Sequence, residues 1–158
     1  MSISKLKLDR LDQEILNALQ RNARLSSAEL AEIVNLSASP CWRRVKRLEE
    51  TSVIRGYHAD IDYEKLGYAI TAYVQVSLMQ KDLISMTNFE QSVITFEEVV
   101  ACHCISGSYD YQLTIMAPDL AHFNEFMRQY VNSFKGLKDV CTSFVMRQIK
   151  APVKLRIK

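Results

Sequence analysis

Apolar residues in the first third of the chain recur with the rhythm of a helix. Leu8, Leu11, Ile15, Leu16 and Leu19 fall on one stripe, and Asp9, Asp12 and Glu14 stand near its start, where the helix dipole favours carboxylates. This spacing predicts a first helix over residues 8–21. Leu25 follows, and Ser26 or Ser27 can cap a second helix; Glu29 lies three residues after Ser26, as in a capping box, with Ala28, Leu30, Ala31, Ile33 and Val34 on the apolar side. Asn35-Leu36-Ser37 makes a short turn. Ser37 or Ser39 can then cap a third helix that tolerates Pro40 in its first turn and packs through Cys41, Val45 and Leu48.

From Tyr68 the period changes to two. Ile70, Ala72, Val74, Val76 and Leu78 face one way and Thr71, Tyr73, Gln75 and Ser77 the other, the alternation of a half-buried strand. Helical spacing returns at Phe89, Val93 and Phe96. Two strands are expected next, Val99 to Ile105 and Tyr111 to Ala117, joined through Ser106–Asp110. Asp119 can cap a helix carrying Phe123, Phe126, Met127, Tyr130, Val131 and Phe134, ended by Lys135-Gly136, and a last strand is expected from Val140 to Ile149. The order β-α-β-β-α-β is ferredoxin-like, an antiparallel sheet with both helices on one face. Covering the other face, taken to be apolar, calls for dimerisation through the sheets. The tail from Val153 to Lys158 alternates apolar and basic residues and reads as an extended arm or edge strand, with a DNA contact by its cations as a secondary reading.

The fold class is therefore α+β: a helical head over residues 1–59, a short linker at 60–67, and a ferredoxin-like domain over 68–158. Charge follows the same division. The formal net charge of the 158 residues is only +2, yet residues 1–59 hold ten Lys/Arg against seven Asp/Glu, residues 60–146 five against eleven, and the last twelve five against none. The longest uncharged stretch, Leu66 to Gln80, is too short and too polar to span a bilayer, and the beginning of the sequence lacks a signal-peptide core, so a cytoplasmic location and no membrane partner are expected. Cys41, Cys102, Cys104 and Cys141 suit a reducing compartment as small, buried, reduced thiols. Cys102-His103-Cys104 invites a metal reading but lacks the paired ligand spacing of a zinc site; no metal and no cofactor are expected.

The chemistry lies on the third helix. Arg43, Arg44, Lys46 and Arg47 put four cations in five residues, off the core face, on a helix that follows another across a tight turn and opens with Ser37, Ser39 and Pro40. A helix-turn-helix needs this: small polar residues that approach base edges in the major groove, and cations that neutralise phosphates. A basic helix face can also be merely solvated. No nucleophile elbow, zinc-helix, P-loop or dinucleotide motif accompanies it, so no catalytic residues are assigned.

The run Leu8–Tyr57 carries LDxxDxxIL, NxR(I/L)S, LSxxPCxxRVxRLE and the ending Ile54-Arg55-Gly56-Tyr57-His58-Ala59, and so resembles the winged helix-turn-helix of the leucine-responsive/asparagine-responsive (Lrp/AsnC) transcription regulators. CHCISGSYDY and TSFVMRQIK resemble the effector domain of the same family. Two positions depart from the pattern: Ser52 stands where the family often has Gly, and Trp42, where many members have Leu, is expected to pack between the third helix and the wing. The resemblance implies a regulator of transcription that binds a pseudo-palindromic duplex operator, with dimers assembling into tetramers or octamers. It implies a small amino-acid effector, such as leucine or methionine, at Ser106, Gly107, Ser108, Tyr109 and Asp110. Asp110 would take the ammonium, the amides near Ser108 and Tyr109 and the hydroxyls of Thr142 and Ser143 the carboxylate, and Cys104, Leu120 and Val145 would lie around the response site. Two other classes stay open: a tetrapyrrole decarboxylase built on this architecture, for which His103 and His122 are available, and an amino-acid sensor that acts on a protein partner.

Overall fold

In the computed structural model, which describes residues 7–150 and 155–157, the chain divides into two units. Asp60 closes the first and Ile61 opens the second; from Lys150 the chain belongs to the first again.

The first unit is built on three helices, α1 (Arg10–Arg21), α2 (Ser27–Ile33) and α3 (Ala38–Glu50). Asp9 caps α1, accepting from the Asp12 N–H at 2.9 Å while the Asp12 carboxylate accepts from the Asp9 N–H at 3.1 Å. Ser26 and Glu29 make the equivalent box at α2. Ser37 occupies the cap of α3 without a side-chain bond, so Pro40 and packing define that start. Ile15, Leu16, Ala18, Leu30, Ala31, Val34, Cys41 and Leu48 form the core. After α3 the chain turns through Ser52, whose φ of +57° is left-handed, and the Ile54 N–H bonds the Leu48 carbonyl at 2.9 Å. No strand forms among residues 51–69.

The tail departs from its expected placement in the second domain. Ile157 pairs with the Asn17 side chain and packs on the core of the first unit. Residues 155–157 are not a strand, and Val153, Lys154 and Lys158 lie outside the described residues.

The second unit is a four-stranded antiparallel sheet, β1 (Ile70–Leu78), β2 (Val99–Cys104), β3 (Tyr111–Ala117) and β4 (Leu137–Phe144), in the order β2-β3-β1-β4. With α4 (Leu83–Ile94) and α5 (Leu120–Phe126) it is the ferredoxin-like arrangement. Ala72, Val74, Val76, Leu78, Tyr111, Leu113, Ile115 and Ala117 share one core with Phe89 and Val93 of α4 and Phe123 and Phe126 of α5, which places both helices on one face. A π turn, Met127–Val131, continues α5 and leaves Tyr130 at the rim against Phe96 and Phe126. The last strand begins and ends earlier than the expected Val140–Ile149. Its ladder runs along β1 and is exhausted where the Val145 N–H reaches the Thr71 carbonyl at 2.9 Å, so the chain beyond has no neighbour to pair with. The opposite sheet face carries Tyr73 beside Thr114 and Ser143, and Gln75 beside Gln112 and Cys141. It is mainly polar, not the apolar face expected.

Candidate DNA-reading helix and effector loop

The four cations of α3 do not share one role. Arg44 donates through Nη1 to Asp9 (2.7 Å) and to Asp12 (2.8 Å), and Arg47 donates through Nη2 to Asp12 (2.5 Å). The Asp12 side chain is 1% exposed, that of Arg44 27% and that of Arg47 47%. A carboxylate so deeply buried needs cationic partners, and α3 supplies two from adjacent turns. The Asp12 backbone N–H first, and then the paired guanidinium, hold the Asp9 carboxyl below its ordinary value, and the two carboxylates raise Arg44. Arg44 is thus foremost a clasp between α1 and α3. Arg47 keeps half of its surface for a second partner.

Arg43 is exposed and has no carboxylate partner among the described residues. Lys46 reaches Glu50 only at 3.8 Å, across solvent, and lies 5.1 Å from the centre of the Trp42 ring. Ser37 and Ser39 are exposed and Pro40 half-buried. A shallow hollow of about 340 Å³ is lined by Asp9, Pro40, Arg43, Arg44 and Arg47, three guanidinium groups around one carboxylate. Trp42 is 52% exposed, with no strand packed over it, and lines a separate groove with Lys46, Glu49 and Tyr57. In that groove the Tyr57 hydroxyl donates to Glu49 at 2.8 Å, and burial together with this carboxylate pushes the phenol up to about 12. The acidic partners Asp9 and Asp12 have a sequence signal in the matching spacings: two carboxylates three apart, one the cap of α1 and one in its first turn, and two arginines three apart on α3.

The loop Ile105–Asp110 joins β2 to β3. It is pinned by the Ile105 N–H on the Asp110 carbonyl (2.8 Å), the Asp110 N–H on the Val76 carbonyl (2.9 Å) and the Ser77 hydroxyl on the Ser108 carbonyl (3.2 Å). Gly107 has φ +132°, a conformation side chains rarely adopt, and faces open space. The Asp110 carboxylate already has partners: it accepts from Lys81 Nζ (2.5 Å) and the Leu78 N–H (2.9 Å), and these, the lysine first, hold its carboxyl below the ordinary value. Within one chain it is therefore an anchor of the loop. The Tyr109 phenol is pushed up by the neighbouring Cys141 thiol, burial and Asp139.

The ten expected effector residues do not converge in one protomer. Cys104 and Ser106–Asp110 adjoin Tyr111 at one end of β3; Leu120 follows β3 at its other end, about 20 Å away at 3.4 Å per residue, and Val145 bonds Thr71 at that same far end. Thr142 pairs with inward-facing Val74 and Ser143 with outward-facing Tyr73, so neighbouring hydroxyls point to opposite faces of the sheet.

Cys41 is buried, which raises its thiol, and Cys141 is half-buried. Cys102 and Cys104, expected to be buried, are exposed on β2, an edge strand of the sheet. Among the described residues no cluster of three metal-ligating side chains occurs, and no helix is long and apolar enough to cross a membrane.

Comparison with known proteins bears on both halves. Residues 8–55 match the winged helix-turn-helix DNA-binding family and residues 71–155 the Lrp/AsnC ligand binding domain. The chain is 38% identical over 150 residues to the DNA-binding transcriptional activator DecR of Escherichia coli K12, covering 95% of this chain and 99% of that protein. It is 34% identical over 151 residues to the leucine-responsive regulatory protein of the same strain, at 96% and 92% coverage. Among solved structures, the transcriptional regulator NMB0573/L-Met complex of Neisseria meningitidis superposes with a TM-score of 0.89 at 36% identity, over 94% of this chain and 96% of that one.

Proposed function

Because the chain belongs to the Lrp/AsnC family of transcription regulators, we propose that α3 is the helix it lays in the major groove and that the Ser106–Asp110 loop belongs to a site for a small amino acid. The observation that carries the first half is the division of labour on α3: Arg44 is consumed by Asp9 and Asp12, while Arg43, Lys46 and half of Arg47 stay open beside Ser37, Ser39 and Pro40. In this reading Arg43, Lys46 and Arg47 meet phosphates, and Ser39 and Pro40 allow the close approach that base readout needs.

The effector reading is supported by the methionine complex of the structural relative and by the open, positive-φ Gly107. Since Leu120 and Val145 lie at the far end of the sheet from the loop, they reach a ligand there only from a second copy of the chain. The site is proposed as an interface site, with Asp110 fixing the loop and Lys81 the cation beside it. Exposed Tyr73 on the uncovered sheet face supports pairing of two chains through that face. Two reading units related by a two-fold would then span half-sites about one helical turn, roughly 34 Å, apart. Tetramers or octamers of such dimers, and a cytoplasmic location, belong to the same proposal. The regulator reading is preferred to a tetrapyrrole enzyme because free cations on a groove-sized helix serve no purpose in such an enzyme.

The test is selection of duplexes from a random pool by the full chain, then titration of the selected duplex against salt with and without L-methionine or L-leucine. A steep salt dependence and a shift on adding one amino acid are expected. Absence of any selected duplex even at low ionic strength would overturn the first half, and a selected duplex whose affinity no amino acid alters would overturn the second.

A further inference from the structure

Ile157 is held by a side chain, not by a strand. Its N–H donates to Asn17 Oδ1 and its carbonyl accepts from Asn17 Nδ2, both at 3.0 Å. One side-chain amide thus occupies both backbone groups of a single residue, as the next strand of a sheet would. The Ile157 side chain packs, half-buried, on the core of the first unit. Leu155, two residues earlier, is 83% exposed, so the seat takes one residue and not a length of strand. The pairing joins positions 140 apart in sequence, with the whole second unit in between.

That topology gives the DNA-reading unit two covalent connections to the second unit, one at Asp60–Ile61 and one at Ile149–Lys150, the latter effective only while Ile157 stays docked. A body tethered at one point sweeps a wide volume. A second tether narrows the sweep and raises the effective concentration at one separation over others. We propose that the C-terminal segment is a strap, seated through Ile157 on Asn17 of α1, that limits the reach of each reading unit and so sets how strictly an assembly discriminates half-site spacing. The spacing part rests on the DNA-binding, dimeric reading above; the docking part does not.

The full chain is compared with Asn17→Ala, which suits a helix interior, and with a chain ended after Lys154. By hydrogen exchange the Ile157 amide of the full chain should be slowed by about tenfold or more relative to Asn17→Ala, as loss of one net hydrogen bond implies. On a selected duplex, insertion of half a helical turn between half-sites should cost the full chain about a hundredfold in affinity and both variants less than about tenfold. Exchange of the Ile157 amide at the free-peptide rate in the full chain overturns the docking. Protection that grows with protein concentration overturns the assignment of the seat to the same chain. Variants that discriminate spacing as the full chain does overturn the strap's function. If the full chain binds no duplex, the DNA reading fails and takes the spacing role with it, while the exchange result still decides the docking.

Discussion

Replacing Asp12 with alanine should cost the reading unit about 3 kcal/mol. The Asp12 carboxylate is fully buried and holds three donors: Arg44 at 2.8 Å, Arg47 at 2.5 Å and the Asp9 N–H at 3.1 Å. The Arg44 bond is mostly enclosed, and a hydrogen bond to a charged group there is worth about 1.5–3 kcal/mol. Half of the capping box adds about 1 kcal/mol. Because the Arg47 side chain is 47% exposed, its share is that of a surface pair, below about 1 kcal/mol after solvent screening. Arg44 retains Asp9 at 2.7 Å and the half-exposed Arg47 turns to solvent, so no buried charge is orphaned and the larger penalty of a broken buried pair is avoided. A loss of about 3 kcal/mol is a large part of the 5–15 kcal/mol that holds a typical domain folded. The assay is urea unfolding followed by fluorescence of Trp42, the chain's one tryptophan, which stands on α3 and reports this unit alone. The midpoint should fall with the slope unchanged. A loss below about 1 kcal/mol, or an Arg44→Ala variant as stable as the parent, would refute the clasp.

Arg43→Ala should leave the same unfolding curve in place and reduce the salt slope of duplex binding by about 1, the signature of one lost phosphate contact; a stability loss without a slope change would make Arg43 structural instead. Ser52→Gly should stabilise the reading unit by up to about 1 kcal/mol, because a non-glycine residue at φ +57° costs about 1–2 kcal/mol and glycine's extra unfolded-state freedom returns about 0.5–1. A lower unfolding midpoint would count against that strain. Asp9 and Asp110 have carboxyls held below their ordinary value of 3.8, so they release protons more readily folded than unfolded. Their contribution is complete above the unfolded value and is lost as pH falls through the lower folded values. Thermal melts should therefore lose little on these groups' account down to about pH 5 and decline steeply further into acid, and a major loss between neutrality and about pH 5 would contradict this.

The amino-acid sequence by itself determined the order and type of the elements, since periods of 3.6 and 2 report which side of each segment is buried without reference to its neighbours. It also determined two helix starts, because capping pairs such as Ser26 with Glu29 are local. The tertiary structure decided which charges are spent and which are free. Arg43, Arg44, Lys46 and Arg47 look alike along the chain, and only the approach of α1 turns Arg44 into a clasp and leaves Arg43 open. Lys81 occupies Asp110 for the same reason: a partner 29 residues away has no local signature. Strand position was settled there as well. Cys102 and Cys104 are exposed on β2, which lies at an edge, and β4 stops at Phe144 because β1 offers nothing further to pair with, facts about neighbours that no single segment encodes. The docking of Ile157 on Asn17 is the extreme case, an ordinary helix asparagine and an ordinary tail residue joined only by the path of the folded chain.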